Sequence, residues 1–524
     1  MRLKRAQIRF WDGDYTLRGE VAGELGHGFE FVENDTGMAW IKLPVDHYLA
    51  KWVMNFKGRA KRNVHVTFDK QGARWSGRMD NYKVVRNKDR SAYVEITFKH
   101  DYEELKHIYV WANPFFPAEF QFPKVWMLWG PAKWALCLTL LVNIMRIESS
   151  IWALPEDPGD PAQWFNFNTT TWRHVLKPFP IELDNSNTML VYSRFKTFHD
   201  TAKRALEDAQ LTVECRRFLD GDPQPWDGAD VRHGQLVWEI VDNSGWKTGT
   251  SFGGNILTGL ERAFVSIASD GMTEGINIIT GDPTFPDEYY TPGWQGTRPS
   301  APWVVFEEGP YTGIESSEFQ YFEATDIRSM VGGHSAPGVN EAISATVNML
   351  GDLIAMAVGV PPAGGALDAI LSPLYTDVVA AFMWWGDIQR AADLGKHHYF
   401  EGWAQGADRA YTLGAVMALR AHKYETRAHI VHTVKVSDAA PYLVGPIGYG
   451  DFWLGHRVAT SPLGYPEPFV LFVERVKSLK YEWDENGPSG WQIEIGYQEP
   501  KDPLLKLYDE VKELMSAFHD AGLV

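Results

Sequence analysis

The stretch LKYEWDENGPSGWQIEIGY, Leu479 to Tyr497, alternates apolar and polar residues on either side of a turn-rich centre. Leu479, Tyr481 and Trp483 fall on one face, and after DENGPSG the residues Trp491, Ile493, Ile495 and Tyr497 do likewise. Successive side chains of a strand point to opposite faces, so this spacing predicts a β-hairpin with one buried side. Strand patterns begin at about residue 427 and lead into it. Residues 1 to about 110 read the same way. NVHVTF sets Val64, Val66 and Phe68 inward against His65 and Thr67, DKQG turns the chain, and ARWSGRM follows. VVRNKDRSAYVEITF gives a second hairpin, with Ala92, Val94, Ile96 and Phe98 on one face. Short strands at such close spacing suggest a small barrel or sandwich. β-rich modules therefore stand near both ends, with no sequence repeat between them.

The middle is mixed. TFHDTAKRALEDAQ has helix composition, and LTVECRRF and QLVWEIVD look like paired strands around the loop LDGDPQPWDGADVRHG. NILTGLERAFVSIAS is a further helix candidate. From Gly271 to Gly313 the chain is dense in Gly, Pro and aromatic residues, and so long a connection is usually functional or packed on a partner. After Gly338, Ile343, Val347, Leu350 and Ile354 keep one apolar stripe until GVPPAGG stops the helix. ALDAILSPLYTDVVAAFMWWGDIQRAADLG and FEGWAQGADRAYTLGAVMALRAHKY read as long helical stretches. The expected class is α+β and multi-domain. Residues 1–112 form a β-barrel-like domain, 113–335 a mixed α/β domain and 336–426 a helical region. Residues 427–500 form a second β-barrel-like domain, and 501–524 an amphipathic helix.

KVWMLWGPAKWALCLTLLVNIMRIESSIWALP, Lys124 to Pro155, is the most apolar part of the chain. The uncharged run lies between Lys133 and Arg146, well short of the ~20 apolar residues a membrane helix needs, so no stable membrane insertion is expected. Pro131 suits the first helical turn. Thr139, Asn143 and Arg146 make one narrow polar stripe, the pattern of a helix enclosed on most sides with one edge reaching water or a partner. Trp134, Leu138 and Leu141 are its candidate interface residues. At the C-terminus Asp502 can cap and Pro503 can open a helix, and Leu504, Leu507, Val511, Leu514 and Phe518 form a two-heptad seam. So short a seam needs company: its own chain, its copies or another protein.

The chain has 524 residues and a net charge of −17, which argues against a general phosphate-binding surface. Cys137 and Cys215 are too few for a disulfide framework or a thiolate zinc site. No signal peptide is expected, because MRLKRAQIRFWDGD leads into no apolar core segment. Candidate chemistry is thin. In GGHSAPG, Gly333 precedes Ser335 as a nucleophile elbow requires, but Pro337 stands where the second glycine belongs. His397 and Glu401 would lie one helical turn apart. His429 and His432 point to opposite faces if they lie on a strand. Asp220, Asp222, Asp227 and Asp230 lack the order of a calcium loop. Tyr289, Tyr290, Trp294 and Trp303, near Asp287, Glu288, Glu307 and Glu308, could line a sugar cleft. None outweighs an ordinary structural role, so no catalytic residue, cofactor or metal is expected.

Four segments together resemble minor tail proteins of phages that infect mycobacteria and related actinobacteria. They are FPKVWMLWGPAKWALCLTLLVNIMRIESSIWALPEDPGDPAQW, GGHSAPGVNEAI, AYTLGAVMALRAHKYETRAH and VSDAAPYLVGPIGYGDFWLGHRV. The resemblance implies a counterpart of the baseplate hub, three copies around the tail axis that close the tail tube and carry the tip. Implied neighbours are further copies, the distal tail ring, other minor tail proteins and the tape measure, with DNA a transient passenger in the lumen. The implied location is the virion tail tip, after synthesis in the host cytoplasm. No enzyme activity is expected, since the chain ends at Val524 soon after the last β module and any lytic domain would belong to another polypeptide. The alternative is a cell-wall carbohydrate-binding protein or glycoside hydrolase that uses the Trp-rich loops.

Overall fold

A computed structural model of the chain describes residues 5–243 apart from 89, 153–157, 185 and 187. It further describes residues 278–280, 304–307, 314–334, 344, 381–405, 413–436, 442–464, 470–484 and 487–496. The N-terminal part runs through β1 (Gln7–Asp12), β2 (Leu17–Glu20), β3 (Gly26–Val32), β4 (Met38–Pro44), α1 (Tyr48–Met54), β5 (Val64–Lys70), β6 (Ala73–Arg86) and β7 (Ala92–His100). The middle adds β8 (Trp126–Pro131), α2 (Ala132–Glu148), β9 (His174–Leu176), β10 (Thr188–Ser193), α3 (Phe198–Asp208), β11 (Leu211–Arg217) and β12 (Leu236–Asp242). Next come β13 (Ile278–Thr280), β14 (Val304–Glu307), β15 (Ile314–Phe322), β16 (Asp326–Gly332), β17 (Phe382–Gly386), α4 (Ile388–Leu394), β18 (Tyr399–Trp403) and α5 (Leu413–Glu425). β19 (His429–Val436), β20 (Arg457–Ser461), β21 (Val470–Asp484) and β22 (Gly487–Gly496) complete the described elements.

The β regions at the two ends of the chain lie side by side in one sheet, ordered β15-β19-β22-β21-β3-β4-β7-β6-β5-β1-β2. The β21–β22 hairpin forms as its alternation requires, with Tyr481 opposite Trp491 and Leu479 opposite Ile493. Leu479, Tyr481, Trp491, Ile493 and Ile495 are fully buried; Tyr497 lies outside the described residues. On its other edge β21 pairs with β3, setting Leu479 against Phe31, Tyr481 against Phe29 and Trp483 against His27. Its first residues also hold β20 and β13.

The sheet is rolled. β3 and β5 are four places apart in the strand order, which would separate them by roughly 19 Å in a flat sheet. Yet the Phe29 and Phe68 rings lie 5.2 Å apart, and Phe10 of β1 meets Phe98 of β7 at 5.7 Å. Val94, Ile96 and Phe98 point into this core as expected, while Ala92 at the strand end is exposed. The DKQG turn places Gln71 at φ 54°, and a Cβ on Gly72 would fall 1.9 Å from the Tyr449 carbonyl oxygen. His65 and Thr67 correct the expectation of an outward face. Both are buried, because Trp11 Nε1 donates to Thr67 Oγ1 at 3.0 Å and the Tyr15 ring covers His65 at 4.8 Å.

The middle region packs α2 and α3 on the strands β8–β10 and β9–β12–β11. The Thr197 hydroxyl accepts from the Asp200 N–H and starts α3, and β11 and β12 pair antiparallel as read from sequence. In α2 the expected geometry is inverted. Pro131 sits at the cap, one residue ahead of the helix, and the polar stripe turns inward: Thr139 and Asn143 are fully buried and Arg146 nearly so. Each has a partner. Trp126 Nε1 donates to Thr139 Oγ1 at 2.9 Å, the Trp111 N–H to Asn143 Oδ1 at 3.3 Å, and Arg146 to the Tyr109 carbonyl at 3.1 Å. The stripe therefore does not reach water.

The region expected to be helical contains two strands. Phe382-Met383-Trp384-Trp385 is β17, antiparallel to β16, and β18 runs parallel on its other edge. Aromatic residues favour this pleated setting, and Asp387 ends the strand by capping α4. α5 forms within the second predicted helical stretch, while the stripe Ile343 to Ile354 lies outside the described residues.

A buried polar seam joins the middle region to both chain ends. Glu33 pairs with Arg475 and accepts from Thr212 Oγ1 at 3.0 Å. Asn243 donates to Thr212 Oγ1 at 2.8 Å, and Arg457 donates to the Asn243 carbonyl at 2.8 Å and to Gln210 at 2.7 Å. Burial pushes the Glu33 carboxyl up, with Arg475 and Thr212 pulling against it. A second seam sets Arg217 against Asp101 at 2.8 Å, with Ser76 Oγ donating to Asp101 at 2.5 Å. Burial opposes ionisation of Asp101, but the Arg217 charge and hydrogen bonds outweigh it and hold the carboxyl at about 2.

Two predictions follow from this burial. Arg475→Met should cost roughly 3–5 kcal/mol in urea unfolding by stranding the Glu33 carboxylate, and adding Glu33→Gln should restore much of it. A double variant no more stable than Arg475→Met would show that the pair carries no such coupling. The second concerns pH. Burial depresses His27 and His174 to about 3, and His65, His100, His432 and His456 to about 4, from 6.5. Their stabilisation is present above pH 6.5 and is lost as the unfolded chain takes up protons down to pH 4. Glu214 and Glu474 act oppositely: burial raises them to about 8 and 7, so their contribution is complete below pH 4.5 and lost above it. Six histidines outweigh two carboxyls between pH 6.5 and 4.5, at roughly 1.4 kcal/mol per pH unit for each net proton. The melting temperature should therefore fall steeply from pH 6 to 4.5. Both His27 ring nitrogens are buried without a hydrogen bond. His27→Phe should flatten that fall, and an unchanged slope would exclude His27 as a contributor.

Candidate functional site

α2 buries its polar stripe together with Leu136, Leu140 and Ile144 and keeps apolar residues along its outer edge. With its polar residues turned to the core, Trp134, Leu138, Leu141 and Met145 remain half-buried along the outer side. The Trp134 indole lies against Gly130 at the end of β8, where a Cβ would fall 3.1 Å from the ring. Leu138 and Leu141 form an apolar strip one helical turn long, the kind of surface that excludes water only when covered. The other predicted interface residues, Leu504, Leu507, Val511, Leu514 and Phe518, lie outside the described residues.

The residues singled out for chemistry do not converge. Ser335 and Pro337 lie outside the described residues, as do Tyr289, Tyr290, Trp294 and Trp303. Glu401 stands on β18, a strand, so it has no helical-turn relation to His397; it pairs instead with Arg328 at 3.6 Å. His429 and His432 point to opposite faces of β19: the His429 ring stacks on Phe322 at 4.6 Å, and His432 Nδ1 meets Thr460 Oγ1 at 2.7 Å. In the acidic loop, Asp222 accepts from the Leu219 N–H at 2.9 Å and pairs with Arg74, while Asp230 pairs with Arg232 at 2.8 Å. Among the described residues no group of three or more His, Cys, Asp or Glu is placed to hold a metal ion. No helix among them is long and apolar enough to cross a membrane.

Cys137 and Cys215 are free, and burial pushes the Cys137 thiol up to about 12 and the Cys215 thiol up as well, which disfavours the reactive thiolate.

Two features escaped the sequence reading. Glu214 of β11 lies directly opposite Glu239 of β12, at the wall of a cavity of about 300 Å³ that the Pro446–Tyr449 turn helps close. Like charges opposite each other are unfavourable. The pair is relieved because burial and the Glu239 charge keep Glu214 protonated at neutral pH, and because Lys177 lies 2.8 Å from Glu239. The strand pairing was legible in sequence, but the register that opposes these two residues was not. The second feature is the aromatic outer face of β16–β17–β18, hidden in a segment whose composition resembles a helix.

Comparison with known proteins places the chain. The model of the family described as Siphovirus ReqiPepy6 Gp37-like protein matches residues 7–497. Minor tail protein Gp28 of Mycobacterium phage L5 is 49% identical, with 100% of this chain and 96% of that protein covered. Minor tail protein Gp28 of Mycobacterium phage D29 matches with the same identity and coverage. Among solved structures, the tail protein from Neisseria meningitidis MC58 aligns with 95% of this chain and 99% of that one, at 8% identity and a TM-score of 0.39. A match of this identity along the whole chain carries the assignment: the protein belongs to the Siphovirus ReqiPepy6 Gp37-like family, the family of these mycobacteriophage minor tail proteins.

Proposed function

We propose that the protein is a structural component of a phage tail tip, a hub of three copies around the tail axis that closes the tail tube, supports host attachment and lets DNA pass. The single observation that carries this reading is the 49% identity along the whole chain to proteins named minor tail proteins. The rolled sheet and its buried seams suit a part that must hold its shape under load. In this reading the protein acts by assembly and not by catalysis, within the virion tail. Its neighbours are its own copies, the distal tail ring, other minor tail proteins and the tape measure.

The outer strip of α2, with Trp134, Leu138 and Leu141, supplies one contact between copies, and the C-terminal seam from Leu504 to Phe518 supplies another. The net charge of −17 gives the lumen a role, since an acidic wall repels DNA and leaves it free to slide.

Light scattering after gel filtration should give a mass about three times that of the 59.4 kDa chain. Leu138→Glu combined with Leu141→Glu should shift it to one chain, with an unchanged circular dichroism spectrum showing that the fold is retained, because both side chains lie at the partly exposed outer edge of α2. A trimer that survives the double substitution would remove α2 from the interface, and a protein found as a single chain in isolated tails would overturn the hub. Reversing lumen-facing carboxylates to lysine should slow DNA ejection from intact virions; unchanged ejection kinetics would refute the acidic-wall role.

A further inference from the structure

The central strand of the sheet β16–β17–β18 has two unlike faces, while Trp385 and Phe400, on the α5 side by alternation, are also exposed. On one, Ile327, Ser329 and Val331 lie towards α5, where Ala415, Ala418 and Leu419 close a small core. Strand alternation sets Arg328 and Met330 on the other face. Register places Met330 between Trp384 and Trp403, and Arg328 between Gly386 and Glu401. Phe382 and Tyr399 share that face by alternation along β17 and β18. Trp384 is 61% exposed, Tyr399 73%, and Trp403 and Phe382 51% each. Rings of this size are rarely left uncovered together on a protein surface unless something binds there.

The arrangement of charge selects the occupant. A protein-docking face concentrates apolar groups at its centre and keeps charge on its rim. Here an ion pair stands within the aromatic patch, in register between the Trp384–Trp403 row and Tyr399. Arg328, on the central strand, pairs with Glu401 at 3.6 Å and lies 5.0 Å from the centre of the Trp384 ring, with the aromatic side chains set around this pair. Phe382 and Trp403 meet edge-on at 6.1 Å, and about half of each side chain stays exposed. A sugar ring matches such a surface. Its C–H face packs on an indole, and its hydroxyl rim, a few ångströms away, donates to a carboxylate and accepts from a guanidinium.

We propose that the outer face of β16–β17–β18 is a binding site for an oligosaccharide chain, stacked on Trp384 and Trp403 and hydrogen-bonded to Arg328 and Glu401. Its residues are not those of the Tyr289–Trp303 stretch to which composition alone attached a sugar reading, which lies outside the described residues. It goes beyond the hub assignment and does not depend on it, since binding is measured on the isolated protein.

The test is a printed array of hexose, pentose and amino-sugar oligomers probed with the full-length protein, followed by calorimetric titration of the best hit. Saturable binding is expected, weakened at least about tenfold by Trp384→Ala or Trp403→Ala, equivalent to about 1.4 kcal/mol. Arg328→Met should weaken it several-fold, and the melting temperature should hold because these side chains are exposed. The proposal is overturned if no oligomer on the array binds, or if Trp384→Ala and Trp403→Ala bind like the unaltered protein. It is equally overturned if Trp384→Ala instead dissolves a self-associated species, which would make the face a contact between copies.

Discussion

The pairing of β21 with β3 is the constraint on which the rest of the structure depends. It brings residues 478–484 against residues 26–32, so nearly the whole chain becomes a loop closed on itself. Loop-closure entropy grows only with the logarithm of length, so a chain this long is closed at little more cost than a short one. What makes the closure stable is the aromatic cluster it completes. Phe29 and Tyr481 lie 5.3 Å apart, Trp491 packs on both, and Phe68 arrives from the far side of the roll. Neither terminal β region could complete this core alone, because its inward-facing rings come from both.

Once the ends are joined, the middle of the chain has to lie against the outside of the roll, and its contacts there are polar. Glu33, Thr212 and Arg475 come from three distant parts of the sequence and meet in one buried network. Such a network adds little net stability over an apolar seam of equal shape, but it is costly to assemble wrongly. The Asp101–Arg217 pair does the same beneath Tyr15, whose ring lies 4.6 Å from the Arg217 guanidinium. Between them the two seams fix how the middle region sits on the sheet. The same enclosure explains the neutral histidines: a ring placed under a second layer cannot keep the hydration that its charged form needs.

Legibility in the sequence followed how many faces each element buries. The 479–495 and 92–98 hairpins were read correctly because one side packs and the other is wet. β5 was read as one-sided because His65 and Thr67 are polar; nothing local reveals that Trp11 and Tyr15 come to lie over them. In α2 the angular spacing of Thr139, Asn143 and Arg146 was right and its direction wrong. A polar stripe points inward when partners wait there, and those partners are the Trp126 indole and the backbone of residues 109–111, set by a connector with no periodic pattern. The segment around Phe382 resembles helix in composition because its apolar density has no clear period, and its strand character depends on β16, whose partners are separated from it by a long stretch of chain. The Glu214–Glu239 opposition needed the register of a hairpin whose loop is long enough to permit several.

These inversions bear on how copies of the chain could associate. Each carries a net charge of −17, so bringing copies together opposes electrostatic repulsion that is screened over about 8 Å at physiological salt. Ion pairs between such chains would have to be strongly local. Apolar contact has no such difficulty, since it gains about 25 cal/mol for each Å² removed from water and does not weaken with salt. A helix that turns Thr139, Asn143 and Arg146 into its own core and leaves Leu138 and Leu141 partly exposed offers a contact of that kind. The hydrogen bonds to Thr139, Asn143 and Arg146 form inside the fold whether or not the outer strip is covered, so covering it would not require α2 to repack.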